Sequence, residues 1–167
     1  MSGVRVGRRT LRWLLVAVAV VVVGAVVFVV QHRDRAPFDD RAYPSSRWDR
    51  SLAQLLDQFH VRLPDCPTDG LRYWSSDGID DDFYLAFRAD AGCVDAFREA
   101  NGFAELTPLA GSVLADNRDD RRREWGWYDG GQSYLRGRVR PVSGTELTVE
   151  MTDSGPTRQV YLRGVEF

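Results

Sequence analysis

The sequence predicts an α+β protein: an N-terminal transmembrane helix, then one small domain with two helices and an antiparallel sheet of about five to six strands. Three observations support this class. The chain opens with a long apolar run, two later segments carry apolar residues at helical spacing, and several others alternate apolar and polar residues between Gly, Asp and Pro turns. Strands joined by such short turns pair antiparallel.

The apolar run Trp13–Val30 contains no charged residue, no proline and no side-chain amide. As a helix, its 18 residues would span roughly 27 Å, close to the ~30 Å hydrocarbon core of a membrane. Residues 1–12 carry four arginines and no acid, and this bias predicts a cytoplasmic basic segment before the anchor. We therefore expect a single-pass signal-anchor protein of the cell membrane, with its C-terminal domain extracytoplasmic.

A cleaved signal peptide is the main alternative, because such peptides also place an apolar stretch after a basic segment. The residues that end the run, Phe28, Val29 and Val30, are too bulky for the small-residue cleavage site that signal peptides need. A buried helix of a cytosolic protein is the other alternative. The flanking residues favour the uncleaved anchor.

Beyond the anchor, the composition changes to a tether and then to a domain. Residues 31–45 contain Pro37, Pro44 and few apolar side chains, which predicts a flexible polar tether; residues 46–167 have the length of one domain. From residue 37 onwards, 23 acids outnumber 16 arginines, so this part carries a net charge of −7. An acidic exterior argues against nucleic acid and anionic lipid head groups as partners.

The chain contains two cysteines, Cys66 and Cys93. In an oxidising extracytoplasmic compartment an isolated pair usually forms a disulfide, and closing this loop would contribute about 3.5 kcal/mol in the chain-entropy model. Two buried free thiols are the alternative. A zinc site lacks ligands, because the only histidines are His32 and His60.

Two helices are predicted by apolar residues at helical spacing. The first begins at an N-cap, Ser46, and ends near His60. The second, Ala91–Ala100, begins after Asp90 and ends at Asn101-Gly102, whose glycine suits a left-handed stop.

The remaining segments predict strands, except for residues 103–123, whose weak pattern predicts irregular structure. Residues 145–151 alternate apolar side chains with Glu146, Thr148 and Glu150, which predicts one buried and one wet sheet face. The predicted strands are Leu71–Ser75 and Phe83–Arg88, which form a hairpin, and then Glu124–Tyr128, Gln132–Arg140, Thr145–Met151 and Arg158–Glu166.

The hairpin loop from Asp77 to Asp82 is the candidate metal site. Its carboxylates, on Asp77, Asp80, Asp81 and Asp82, are oxygen ligands of the kind that calcium prefers. Their spacing departs from that of an EF-hand, which has acids at alternate positions and a glutamate at the twelfth. A solvated hairpin loop is the simpler interpretation, and a pair of catalytic carboxylates is a further alternative.

Trp125, Trp127 and Tyr128 form the candidate ligand surface. If the first two share a wet strand face, they could form a platform for a sugar ring or for a cell-wall glycan. The alternative is a set of aromatic residues buried in the sheet core, which is common for tryptophan.

No catalytic motif accompanies these candidates. The sequence contains no Gly-x-Ser-x-Gly elbow, no glycine-rich phosphate loop and no His-Glu-x-x-His helix, so it identifies neither catalytic residues nor a cofactor.

Residues Leu63 to Gly102 resemble part of small, uncharacterised membrane-anchored envelope proteins of actinobacteria. The resemblance rests on Asp65-Cys66, on Gly70–Trp74, on Asp82–Phe87 and on Cys93–Phe97. It implies an envelope location and no activity. We therefore expect a membrane-tethered extracytoplasmic domain that binds another envelope protein or a cell-wall component; a small hydrolase using carboxylates and a divalent-ion sensor are the alternatives.

Overall fold

A computed structural model describes residues 18, 20–24, 39–47, 49–76, 81–114, 121–127 and 131–167. The chain divides into two compact units, Met1–Pro37 and Phe38–Phe167. In the first unit, Val18 and residues 20–24 are helical and exposed. Within the described ranges, no helix is both long enough and apolar enough to span a membrane. Most of the predicted anchor, Trp13–Val30, lies outside these ranges and stays a prediction.

The second unit is built on one six-stranded antiparallel sheet, so the predicted α+β class is confirmed. The spatial order of the strands is β1-β2-β6-β5-β4-β3. The strands are β1 (Asp69–Ser75), β2 (Asp81–Asp90), β3 (Thr107–Ala110), β4 (Ser133–Val139), β5 (Thr145–Thr152) and β6 (Thr157–Glu166), and the helices of this unit are α1 (Leu52–Gln58), α2 (Ala91–Ala100) and α3 (Arg121–Glu124).

Helices α1 and α2 cover one side of the sheet, which we call the first face. Leu55 of α1 and Phe97 of α2 are buried together with alternate residues of β2, β5 and β6. Gly164 of β6 allows Phe59 to pack closely on the sheet, because a Cβ at this position would be 2.6 Å from Phe59 Cδ1. The main core therefore lies between the first face and the two helices.

Helix α1 begins later than predicted. Its N-cap is Ser51, which forms a capping box with Gln54, so the prediction of Ser46 as N-cap is wrong. The Ser46 hydroxyl instead accepts the backbone N–H of Ser75 in β1. Helix α2 has the predicted N-cap, Asp90, which accepts the N–H of Cys93.

The chain before α1 covers the outer edge of β1. The Tyr43 N–H donates to the Tyr73 carbonyl at 2.8 Å, and the Tyr73 N–H donates to the Arg41 carbonyl at 3.1 Å. Further along, the Arg47 N–H donates to the Ser75 carbonyl. Residues 39–45, predicted as part of a flexible tether, are thus bound to the sheet. Their backbone groups pair with N–H and C=O groups of β1 that would otherwise form an open strand edge.

Cys66 and Cys93 form the predicted disulfide, with their Cα atoms 6.0 Å apart. Cys93 lies in the first turn of α2, and Cys66 precedes β1. The bond therefore joins the helix to the entrance of the first hairpin, as expected.

Two predictions in the middle of the chain are wrong. Within residues 103–123, predicted to be irregular, Thr107–Ala110 forms the edge strand β3. The segment Glu124–Tyr128 was predicted to be a strand, but Glu124 ends α3 and a turn follows at Gly126, where φ is +73°. The Trp127 N–H donates to the Arg122 carbonyl, which closes this helical turn. A pattern of alternating aromatic residues therefore marks a turn here.

Candidate functional site

The side of the sheet away from α1 and α2, which we call the second face, carries rows of side chains set by the strand registers. The turn row, nearest the β5–β6 turn, contains Asp69, Arg88, Gln159, Thr152, Tyr134 and Leu109. The middle row contains Arg72, Ala86, Tyr161, Glu150, Arg136 and Thr107. The far row contains Trp74, Tyr84, Arg163, Thr148 and Arg138.

A connecting segment lies over part of this face. Its described residues, 111–114 and 121–127, are called the strap. Leu114 and Trp127 of the strap are buried against Ala86 of the middle row and Trp74 of the far row. The strap therefore covers a second, smaller hydrophobic core on the side of the sheet that is opposite the helices.

Glu150 fixes the strap to the sheet. It is fully buried, and one of its oxygens accepts the backbone N–H of Leu114 at 2.5 Å. The other oxygen accepts from the Ser112 hydroxyl at 3.0 Å and from Arg136 Nε at 2.9 Å. A buried carboxylate needs such compensation, because an isolated charge is expensive to remove from water. Glu150 was predicted to lie on a wet face, and this prediction is wrong.

The strap holds two non-glycine residues in unusual backbone conformations. Ser112 has a φ of +138° and Leu114 a φ of +51°. The buried guanidinium of Arg122 donates to the carbonyls of Val113 and Leu114. The backbone of Leu114 is therefore held by Glu150 at its N–H and by Arg122 at its carbonyl. Because left-handed non-glycine residues persist only where their surroundings determine them, Glu150 and Arg122 together define the shape of the strap.

Two of the three residues of the predicted ligand surface, Trp125 and Trp127, lie within the described residues. Trp127 is 6% exposed, and its Nε1 donates to the Tyr43 hydroxyl at 2.8 Å. Trp125 is half-buried and stacks on Tyr43, with ring centroids 4.6 Å apart. Tyr128 lies outside the described residues. The two tryptophans therefore act as packing residues between the strap, the β1 edge and the second face.

Burial of this cluster changes the acidity of its tyrosines. Desolvation raises the pKa of Tyr161 to about 12, and the neighbouring Tyr134 and Tyr43 add to the shift. Burial also raises the pKa of Tyr43, although the hydrogen bond from Trp127 opposes the change. Both phenols are therefore neutral hydrogen-bonding groups at neutral pH.

Three residues of the turn row line an open groove of about 550 Å³ on the second face. Arg88, Gln159 and Thr152 lie on its floor, and residues from the start of β4 and from the β5–β6 turn complete it. Arg88 pairs with Asp69 at 2.9 Å, whereas the Gln159 amide is held by the Phe87 carbonyl at 3.1 Å. The remaining lining residues are Gln132, Ser133, Asp153, Ser154 and Thr157.

Half of the predicted acidic site lies outside the described residues, namely Asp77 and Asp80. Asp81 accepts from Arg50 at 3.3 Å and from the Gln58 amide at 3.0 Å, and Asp82 pairs with Arg163 at 3.0 Å. Among the described residues, no group of three or more His, Cys, Asp or Glu side chains could hold a metal ion. The described part of the loop thus uses its carboxylates in ion pairs.

Asp81 also faces a second carboxylate. It is opposite Glu166 in the β2–β6 register, and Gln58 Nε2 donates to both side chains, at 3.0 Å and 2.6 Å. The amide and Arg50 therefore link α1 to the ends of two strands. This arrangement holds the two carboxylates in place by hydrogen bonds and an ion pair.

The groove was not predicted from the sequence. Arg88, Thr152 and Gln159 occur singly on separate strands, and only the sheet register brings them together. The one available signal was that each occupies an outward position in an alternating strand.

Searches of the chain against protein-family models, curated proteins and solved structures find no match.

Proposed function

We propose that this protein is a single-pass membrane protein whose extracytoplasmic domain binds a ligand or partner of the cell envelope without catalysing a reaction. In this proposal Trp13–Val30 is the anchor, and residues 1–12 are cytoplasmic. The observation that carries the proposal is the disulfide between Cys66 and Cys93, because such bonds persist in oxidising compartments and are rare in the cytosol of most organisms.

The surface of the domain supports binding rather than chemistry. The groove on the second face brings together hydrogen-bonding side chains from β2, β4, β5 and β6. Apart from the helical valines near residue 20, the exposed large apolar residues of the described chain are Val142 and Phe167. A polar ligand or partner therefore suits this surface better than an apolar one.

A small hydrolase is the second candidate, and the facing carboxylates of Asp81 and Glu166 favour it. Their environment is less suitable for proton transfer, because Gln58 donates to both and Arg50 pairs with Asp81. Replacing Glu166 by Gln separates the two candidates, since it removes a carboxylate needed for hydrolysis and leaves the groove intact.

The topology is tested with the two cysteines in the full chain expressed in a bacterial membrane. After denaturation, a thiol-reactive polymer should shift the wild-type chain on a gel only if the sample is first reduced. A Cys66→Ser variant, which frees Cys93, should be labelled without reduction and is the control. Labelling of the unreduced wild-type chain would contradict export of the domain.

Crosslinking in intact membranes then identifies the partner.

A further inference from the structure

The strap leaves part of the turn row on the second face open. Tyr134 in the turn row is buried, but Arg88 is exposed, and Gln159 and Thr152 are half-buried at the base of the groove. Residues of the β5–β6 turn form one wall, and Gln132 and Ser133, which precede and begin β4, form another. At about 550 Å³, the groove is within the range of ~300–1,000 Å³ typical of small-molecule sites.

The lining of this groove contains every type of hydrogen-bonding group. Arg88 is a donor only, the Asp153 carboxylate is an acceptor only, and the hydroxyls of Ser133 and Thr157 can act as either. A ligand that matches such a mixture must itself offer both donors and acceptors at close spacing. Hydroxyl groups on a sugar ring meet this requirement.

The charge of the groove argues against an anionic ligand. Its charged lining residues are Arg88 and Asp153, so their formal charges cancel. Asp69 also pairs with Arg88, with 2.9 Å between the guanidinium and the carboxylate, and adds a further negative charge beside the groove. A phosphate or an acidic polymer would find no excess of positive charge here, in contrast to the arginine clusters that bind such anions.

The aromatic residue of β6 nearest to Gln159 packs into the second hydrophobic core. Tyr161 follows Gln159 by two positions on β6, so both side chains belong to the second face. The Tyr161 ring packs on Trp127, with centroids 4.9 Å apart, and is half-buried. Tyr161 therefore belongs to the second hydrophobic core and lies outside the groove lining, so the groove offers a ligand hydrogen-bonding groups.

We propose that the groove over Arg88, Gln159 and Thr152 is a binding site for a neutral, hydroxyl-rich saccharide. This inference rests on the proposed binding function and specifies its ligand class. The proposed saccharide site lies on the open part of the turn row, and the tryptophans of the strap do not line it. In such a site Arg88 donates to the sugar hydroxyls and Asp153 accepts from them.

The test uses the full chain with its disulfide intact in detergent micelles, titrated separately with chitotriose, cellotriose and maltotriose. At least one trisaccharide should bind saturably, with a Kd near the millimolar range that is the same at low and high salt. Arg88→Ala and Asp153→Ala should each weaken binding about tenfold or more, because each removes hydrogen bonds to a charged group. Both side chains project from the surface, so the fold should persist.

Arg140→Ala is the matched control. Arg140 is an exposed arginine paired with Glu146 at 3.0 Å, much as Arg88 is paired with Asp69, but it lies outside the groove. Its replacement should leave the Kd unchanged. The inference is overturned if none of the three sugars binds, if Arg88→Ala binds as the wild type does, or if inorganic phosphate binds in the groove in a salt-dependent manner. These outcomes are independent of the cysteine labelling, which tests the topology alone.

Discussion

Glu150 and Leu114 are 36 positions apart in the chain, yet the Glu150 carboxylate accepts the Leu114 backbone N–H at 2.5 Å. This bond joins the centre of the sheet to the strap at a residue whose φ is +51°. Removing the carboxylate would leave a buried N–H without its acceptor and Arg136 without its ion-pair partner. The strap and the sheet are therefore stabilised by the same side chain.

Glu150→Ala should lower the free energy of unfolding by about 3 kcal/mol or more, the usual cost of breaking a buried charged pair. Urea unfolding of the full chain in detergent, followed by tryptophan fluorescence, measures the change. Glu146→Ala is the control, since Glu146 forms an exposed pair with Arg140 and should contribute below about 1 kcal/mol. Equal losses in the two variants would contradict the described role of Glu150.

Gly164→Ala should destabilise the protein by about 1–3 kcal/mol, because the added Cβ would be 2.6 Å from Phe59 Cδ1. The same unfolding measurement applies. The double variant Gly164→Ala/Phe59→Leu should lose less unfolding free energy than the sum of the two single variants, because the smaller leucine side chain removes the overlap with the added Cβ. Gly92→Ala in α2, where the nearest atom is 3.5 Å away, should be neutral or stabilising.

Reduction of the disulfide should lower the unfolding free energy by about 3.5 kcal/mol, because the loop between Cys66 and Cys93 regains freedom in the unfolded chain. The wild type in reductant and the double variant Cys66→Ser/Cys93→Ser should have the same lowered urea midpoint. If reductant also shifts the urea midpoint of the double variant, the effect of reductant does not come from the Cys66–Cys93 bond.

Stability should fall at alkaline pH because of two tyrosines. Burial raises the pKa of Tyr73 and of Tyr161 to about 12, whereas the pKa of both phenols returns to its usual value of 10.0 on unfolding. Between these values the unfolded chain has lost the protons that the folded chain retains. The contribution of the two protonated phenols to the free energy of unfolding is therefore complete below pH 10 and is lost as the pH rises towards 12. Tyr161→Phe should flatten this decline, and ultraviolet titration of tyrosinate in the folded chain should show the late ionisation.

The parts of the fold that were predictable depend on short-range signals. Helix α2 was predicted because Asp90 and Asn101-Gly102 act within one turn of its ends. The disulfide followed from having two cysteines and an expected oxidising compartment. The first hairpin followed from alternation on both sides of a turn-rich loop.

The parts that were missed depend on distant residues. Ser46 has the chemistry of an N-cap, but its hydroxyl is engaged by Ser75, 29 positions away. Glu150 has the pattern of a surface residue, and only the position of the strap determines that it is buried. Likewise, the groove exists because strand register aligns Arg88 with Gln159. No local pattern contains this information.

The cover on β1 also has a mechanical consequence. Residues 41–47 are joined to β1 by backbone hydrogen bonds at Tyr73 and Ser75, and Tyr43 is held in addition by Trp127. Tension applied to the chain before Asp39 would load these bonds before any other part of the sheet. The segment would peel first, and its release would open the outer edge of β1 and separate Tyr43 from the strap tryptophans.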